Sequence, residues 1–111
     1  MTSNAALLDK SFHALANATR RALVERLIAG PATVSELAKP FRMALPSLLQ
    51  HLRVLEESGL VRSFKAGRVR TVHVVPKRLE HVSAWLEKQR VLWNTRLDQF
   101  DSYVASMEKE P

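Results

Sequence analysis

Leu45-Pro-Ser-Leu-Leu-Gln-His-Leu-Arg-Val-Leu-Glu-Glu-Ser-Gly-Leu-Val61 is the stretch whose reading decides the fold. Its spacing predicts a helix over about Leu45 to Ser58. Pro46 is tolerated in it because first-turn N–H groups have no helical partner. Gly59 supplies a C-terminal residue that can take positive φ. Projected at about 100° per residue, Leu48, Leu52 and Leu55 fall together as a core stripe with Leu45 beside them. Pro46, Ser47, Gln50 and Val54 take the opposite arc, with Arg53 and His51 on its margins. One face is built to be buried and the other to meet something.

Beyond Gly59 the period changes. Leu60 to Phe64 and Val69 to Val75 are β-rich runs separated by Lys65-Ala-Gly-Arg68, which reads as a hairpin with Gly67 as the turn residue and Pro76 closing it. On the N-terminal side, Thr33-Val-Ser-Glu36 reads as a capping box opening a short helix through Ala38. Pro40 is expected to end that helix, because the residue before a proline is pushed out of the helical region. Further upstream, Asn17 reads as the N-cap of a helix over about Ala18 to Ala29, with Leu23, Val24, Leu27 and Ile28 as its buried stripe and Gly30-Pro31 as its stop. A first helix is expected from about Leu7 to Ala16, with Leu8, Phe12 and Leu15 at helical spacing. From about Lys77 to Met107 no Gly or Pro interrupts a long helix. Its residues Leu79, Val82, Leu86, Gln89, Trp93, Arg96, Phe100, Tyr103 and Met107 alternate by three and four. At 1.5 Å rise per residue such a helix extends roughly 45 Å, more than a small domain covers by itself, and a partner surface is implied.

The predicted architecture is mainly α: four helices, a two-stranded hairpin and a long C-terminal helix. All of it is expected in one domain over residues 1–111, with a helix-turn-helix at about 33–58, a wing at about 60–75 and the last helix at about 77–107. The chain of 111 residues carries a net charge of +6. Residues 1–40 contribute +2, residues 41–76 contribute +4 from six basic and two acidic side chains, and residues 77–111 balance to zero. The excess therefore lies on the helix-turn-helix and hairpin, as suits a segment that faces a polyanion. Gln50 can pair with adenine, and Ser47 can reach a base or a phosphate. Lys65, Arg68 and Arg70 suit phosphates or a narrow minor groove. Arg62 leads into the hairpin. Asn17, Arg20 and Arg21 lie at a helix N-terminus, which attracts anions.

Leu15-Ala-Asn-Ala-Thr-Arg-Arg-Ala-Leu23, Val34-Ser-Glu-Leu-Ala38, the Leu45–Val61 string and Gly67-Arg-Val-Arg70 resemble the ArsR-type winged-helix repressors, most specifically over Gln50 to Leu60. The resemblance covers most of residues 10–76. It implies a homodimer joined through first and last helices, a recognition helix at about 44–57, and a repressor acting at a promoter on double-stranded DNA. The DNA-binding set expected is Arg20, Arg42, Pro46, Ser47, Gln50, His51, Arg53, Lys65, Arg68 and Arg70. The dimer set is Phe12, Val82, Leu86, Trp93 and Phe100. The chain departs from the family pattern at Ala44, where a polar N-cap is usual, at Leu49, usually polar, and at Arg42, usually a turn glycine.

Many members of that family sense metals through cysteine pairs or paired acidic and histidine side chains. This chain has no cysteine, and its four histidines, His13, His51, His73 and His81, lie on four different elements. No metal or other cofactor is therefore expected, and nothing in the sequence names a small-molecule effector. No phosphate-binding glycine loop, nucleophile elbow or paired-carboxylate constellation points to an enzyme. Without a secretion signal or a membrane-length apolar run, a cytoplasmic protein is expected. The competing reading is a winged-helix module whose long helix binds a partner protein, with only non-specific affinity for DNA.

Overall fold

The computed structural model describes residues 3–108, which form two compact units divided between Glu80 and His81. The chain runs α1 (Asn4–Leu15), α2 (Ala18–Ile28), β1 (Ala32–Thr33), α3 (Val34–Phe41), α4 (Leu45–Ser58), β2 (Val61–Ala66), β3 (Val69–Val74) and α5 (Pro76–Glu108). The first unit holds everything up to the first turn of α5; the second is the remainder of that helix.

Local chemistry places the helix starts. The Ser3 side chain accepts from the Ala6 N–H, Asn17 Oδ1 from the Arg20 N–H at 3.0 Å, and Thr33 Oγ1 from the Glu36 N–H at 3.1 Å. Thr33 and Glu36 complete the expected reciprocal capping box. α1 begins at Asn4 rather than Leu7 because Ser3 caps it. At the other end of α4, Gly59 takes φ 82°. Its N–H donates to Glu56 O at 3.0 Å and the Leu60 N–H to Leu55 O at 3.2 Å, a Schellman arrangement.

α3 continues through Pro40 to Phe41 instead of stopping at Ala38. Val34, Ala38 and Phe41 pack on the core around fully buried Leu37. That i, i+3, i+4, i+7 stripe outweighs the preference against helix before a proline, because only one residue of helix follows the ring. Arg42 then reverses the chain at φ 48°, taking the left-handed conformation that usually goes to glycine.

The sheet has three antiparallel strands in the order β1-β3-β2, so the expected hairpin gains a short third strand, Ala32 opposite Val72 and Thr33 opposite Thr71. Val61 pairs with Val74 at one end of the hairpin and Ala66 with Val69 at the other. The loop is therefore only Gly67-Arg68, with Gly67 at φ 62°, the pattern of a type II′ turn. β2 starts at Val61 and runs on through Lys65 and Ala66, past the expected Phe64, while β3 ends at Val74 rather than Val75. Pro76 opens α5, where a missing N–H costs nothing.

The core gathers Leu23, Leu27, Leu37, Leu48, Leu52, Leu55, Leu60, Val61 and Val72, all fully buried. Each contributes on the order of 1.5–3 kcal/mol. Two expectations about its edges change. Ile28 is exposed, so the α2 stripe ends at Leu27. α1 buries Ser11 and Ala14 rather than Phe12, since small side chains let it lie close to α4.

Gly59 offers a direct test. A Cβ there would stand 3.0 Å from the Arg78 guanidinium, in a backbone conformation that L residues resist. Gly59→Ala should lower unfolding stability by about 1–2 kcal/mol in urea denaturation. An unchanged midpoint would mean that the α4 terminus relaxes at no cost.

Candidate nucleic-acid interface

Three leucines set the roll of α4. With Leu48, Leu52 and Leu55 buried, Pro46, Gln50, Arg53 and Glu57 form an exposed outer strip, and Ser47 beside them is exposed too. The sequence projection is met at Pro46, Ser47 and Gln50, and Arg53, expected on the margin, is exposed with them. Val54 and Leu45 are the exceptions: Val54, expected on the open arc, is half-buried against the core, and Leu45, expected beside the core stripe, is 52% exposed. The helix starts at Ala44 with no side-chain cap, and Ala44 O takes the Ser47 and Leu48 N–H groups at 3.0 and 3.1 Å.

Between the first turns of α4 and the hairpin lies a groove of about 900 Å³. Leu45 and Leu49 line its helix side, and Ser63, Lys65, Arg68 and Arg70 its hairpin side. Leu49, one of the departures from the family pattern, thus faces the wing rather than the outer strip.

The arginines divide sharply by what they touch. Arg20 Nε donates to Ala14 O at 2.7 Å and Nη2 to His13 O at 3.2 Å, while Nη1 stands 3.5 Å from His51 Nδ1. Arg21 donates to Leu15 O at 2.8 Å. Both guanidiniums thus bind carbonyls at the C-terminus of α1, the negative end of its dipole. Arg20, expected on phosphates, instead binds α1 to α2, and His51 is half-buried beside it. Asn17 is likewise committed to its cap.

Arg70 is the second correction. It turns inward, with Nη2 donating to Glu56 Oε1 at 2.6 Å and Nε to Ser63 Oγ at 2.9 Å, rather than projecting from the hairpin. Arg53 is exposed but paired with Glu57 at 3.1 Å, one helical turn on. The two acids of residues 41–76 therefore neutralise Arg70 and Arg53. Among the described residues Arg42, Arg62, Lys65 and Arg68 are exposed and have no ion pair, which locates that segment's charge of +4. Among the described residues, no group of three or more His, Cys, Asp or Glu side chains is placed to hold a metal ion.

Glu56 and Ser63 were absent from the sequence expectation. The signal for Glu56 is its spacing: Leu45, Leu49, Leu52 and Glu56 share one line of the helix, so an acid stands on the strip that faces the hairpin.

This arrangement, a helix-turn-helix followed at once by a β-hairpin, defines a winged-helix DNA-binding module. A family model for a helix-turn-helix domain matches residues 15–63. The chain is 36% identical over 98 residues to the HTH-type transcriptional regulator Rv2034 of Mycobacterium tuberculosis, covering 88% of this chain and 89% of that one. It is 26% identical over 61 residues to the transcriptional repressor SdpR of Bacillus subtilis, covering 55% and 68%. The crystal structure of the ArsR family transcriptional regulator RHA00566 superposes with a TM-score of 0.77 at 51% identity, over 85% of this chain and 97% of that one. The chain belongs to the ArsR family of winged helix-turn-helix transcriptional regulators, and it is a DNA-binding regulator.

Arg20→Ala should lower stability by about 1–3 kcal/mol, the value of hydrogen bonds from a charged donor. It should leave the salt dependence of DNA binding unchanged. A salt slope reduced by about one would instead return Arg20 to the phosphate contacts.

Proposed function

We propose that the chain represses transcription as a homodimer, with α4 in the major groove and the β2–β3 hairpin as a wing on phosphates or a narrow minor groove. The observation that carries this reading is the fixed roll of α4. It leaves Pro46, Ser47 and Gln50 exposed together, flanked by the unpaired cations Arg42, Lys65 and Arg68. A helix presented that way meets base edges while the cations meet the backbone on either side. Repression is supported by the likeness to SdpR, which is named a transcriptional repressor. The chain acts by binding rather than by catalysis, in the cytoplasm; no helix among the described residues is long and apolar enough to cross a membrane.

The homodimer rests on α5. Leu86, Trp93, Phe100 and Met107 recur every seven residues, and all are at least half-exposed, Trp93 at 62%. Tyr103 and Leu97 widen the stripe. A seven-residue apolar repeat on an exposed helix is a seam for a second helix. Val82 leaves the expected interface set, because at 7% exposure it is already buried in the single chain. Phe12 on α1, 37% exposed, stays in it.

Two experiments test the reading. Sedimentation equilibrium at low micromolar concentration should give twice the 12.6 kDa chain mass. Trp93→Ala should shift the balance toward monomer, since aromatic anchors dominate interface energy. A wild-type chain sedimenting at its own mass ends the dimer proposal.

Binding to a duplex selected from a random pool, compared with a scrambled duplex across salt concentrations, separates helix from wing. Gln50→Ala should lose about 1–3 kcal/mol of discrimination while keeping most non-specific affinity. Arg68→Ala should weaken both duplexes alike and lower the salt slope by about one. An unchanged selected-to-scrambled ratio for Gln50→Ala would show that the outer strip of α4 does not face the bases. A wild-type protein with no preferred sequence would favour the module that binds a partner protein.

A further inference from the structure

An acidic side chain between a recognition helix and its wing is electrostatically out of place. It repels the phosphates that the neighbouring cations attract. Glu56 sits there nonetheless, and it is held firmly. Its Oε1 accepts from Arg70 Nη2 at 2.6 Å and from Ser63 Oγ at 2.5 Å, and Arg70 Nε donates to the same Ser63 Oγ at 2.9 Å. The three side chains close a triangle between α4, β2 and β3. The Arg70 and Glu56 side chains are only 33% and 28% exposed, so solvent screens them less than a surface pair.

The strand register explains what the triangle holds in place. Lys65 lies directly across from Arg70, so two cations oppose one another on one hairpin face, which by itself drives the strands apart. The Glu56 carboxylate reaches that face from α4 and binds one of the two. It thereby fixes the base of the groove whose walls carry Leu45, Leu49, Lys65 and Arg68. Glu57, one residue on, differs in every respect. It is 65% exposed on the outer strip and pairs with Arg53 within its own helix.

We propose that Glu56 is a positioning residue for DNA recognition: through Arg70 and Ser63 it straps the wing to the recognition helix and sets the distance between the base-reading strip and the wing cations. This rests on the DNA-reading role of α4 proposed above. Arg70 then belongs to the strap and touches no phosphate.

Glu56→Gln and Glu25→Gln remove the same charge, but Glu25 is exposed on α2, outside both the outer strip and the hairpin, which makes the comparison decisive. Affinities are measured for a duplex selected by the wild-type protein from a random pool and for a scrambled duplex, over a range of salt. Glu56→Gln should lower the selected-to-scrambled ratio by about tenfold while scrambled binding holds or rises. Glu25→Gln should leave the ratio at its wild-type value. If both variants simply bind both duplexes more tightly and alike, Glu56 acts only as a charge and the strap is refuted.

Arg70→Gln and Ser63→Ala repeat the test with the carboxylate in place, should Glu56→Gln fold poorly. Arg70→Gln should lower the ratio without changing the salt slope. A slope reduced by about one would make Arg70 a phosphate contact and overturn the proposal. The double variant Glu56→Gln/Arg70→Gln should lose no more than either single one, as partners in one interaction do. Full additivity of the losses counts against the strap. A wild-type protein that enriches no sequence from the pool ends the DNA-reading role itself, a failure visible before any variant is made.

Discussion

Everything on the DNA-facing side depends on the burial of Leu48, Leu52 and Leu55. Each is completely removed from solvent, and together they fix the rotation of α4 about its axis. A roll of a quarter turn would carry Gln50 to the side and bring Glu56 or Val54 outward. The helix relies on this packing more than on its ends. α1, α2 and α3 begin at Ser3, Asn17 and Thr33, whose side chains accept first-turn N–H groups, whereas α4 begins at Ala44, which offers none. The missing cap forgoes about 1 kcal/mol, less than the burial of any one of the three leucines supplies.

The basic side chains of the first unit serve two different ends, and net charge alone does not separate them. Arg20, Arg21 and Arg26 donate to backbone carbonyls of His13, Ala14, Leu15 and Gly30. They complete helix termini and are occupied by doing so. Arg53 and Arg70 are taken by carboxylates. Within residues 41–76 the charge presented to a polyanion therefore comes from a smaller group, Arg42 in the helix-turn-helix corner and Arg62, Lys65 and Arg68 on the hairpin. Arg62 lies across from His73 in the register, whereas Lys65 and Arg68 are near the turn, so the cations nearest the groove are those at the hairpin tip.

How much of this was legible in the sequence follows from the range of each interaction. The bounds of α4, the Asn17 cap, the Thr33–Glu36 box and the positive φ of Gly59 involve groups within a few residues of one another, and the sequence places them correctly. The three-residue leucine spacing likewise orients the outer strip. Strand β1 is two residues long and exists only because β3 passes beside it some forty positions later. Pro40 stays helical through tertiary packing of Phe41, which no local rule contains. Arg20 and Arg70 look like phosphate ligands in isolation; their partners stand 6 to 31 and 7 to 14 positions away. Sequence shows that a guanidinium is available but not what has already engaged it.

The second unit raises the question of what holds a long exposed helix. Local pairs give little: Glu87 and Arg90 form a bidentate bond one turn apart. Arg90 holds the Glu87 carboxyl below its ordinary value, mainly by hydrogen bonding, and is itself raised. That contribution is present above the ordinary carboxylate range and fades as pH falls through the lowered value, but both side chains are more than half exposed, so its weight is slight. Aromatic residues lose rotamer freedom in a helix, and most helical stability in proteins comes from packing of an apolar face rather than from propensity. In the proposed homodimer, burial of the seven-residue stripe through Leu86, Trp93, Phe100 and Met107 adds that packing. In the proposed dimer the same contact that orders α5 also joins two winged helices, so folding of the second unit and pairing of two DNA-reading helices become one event.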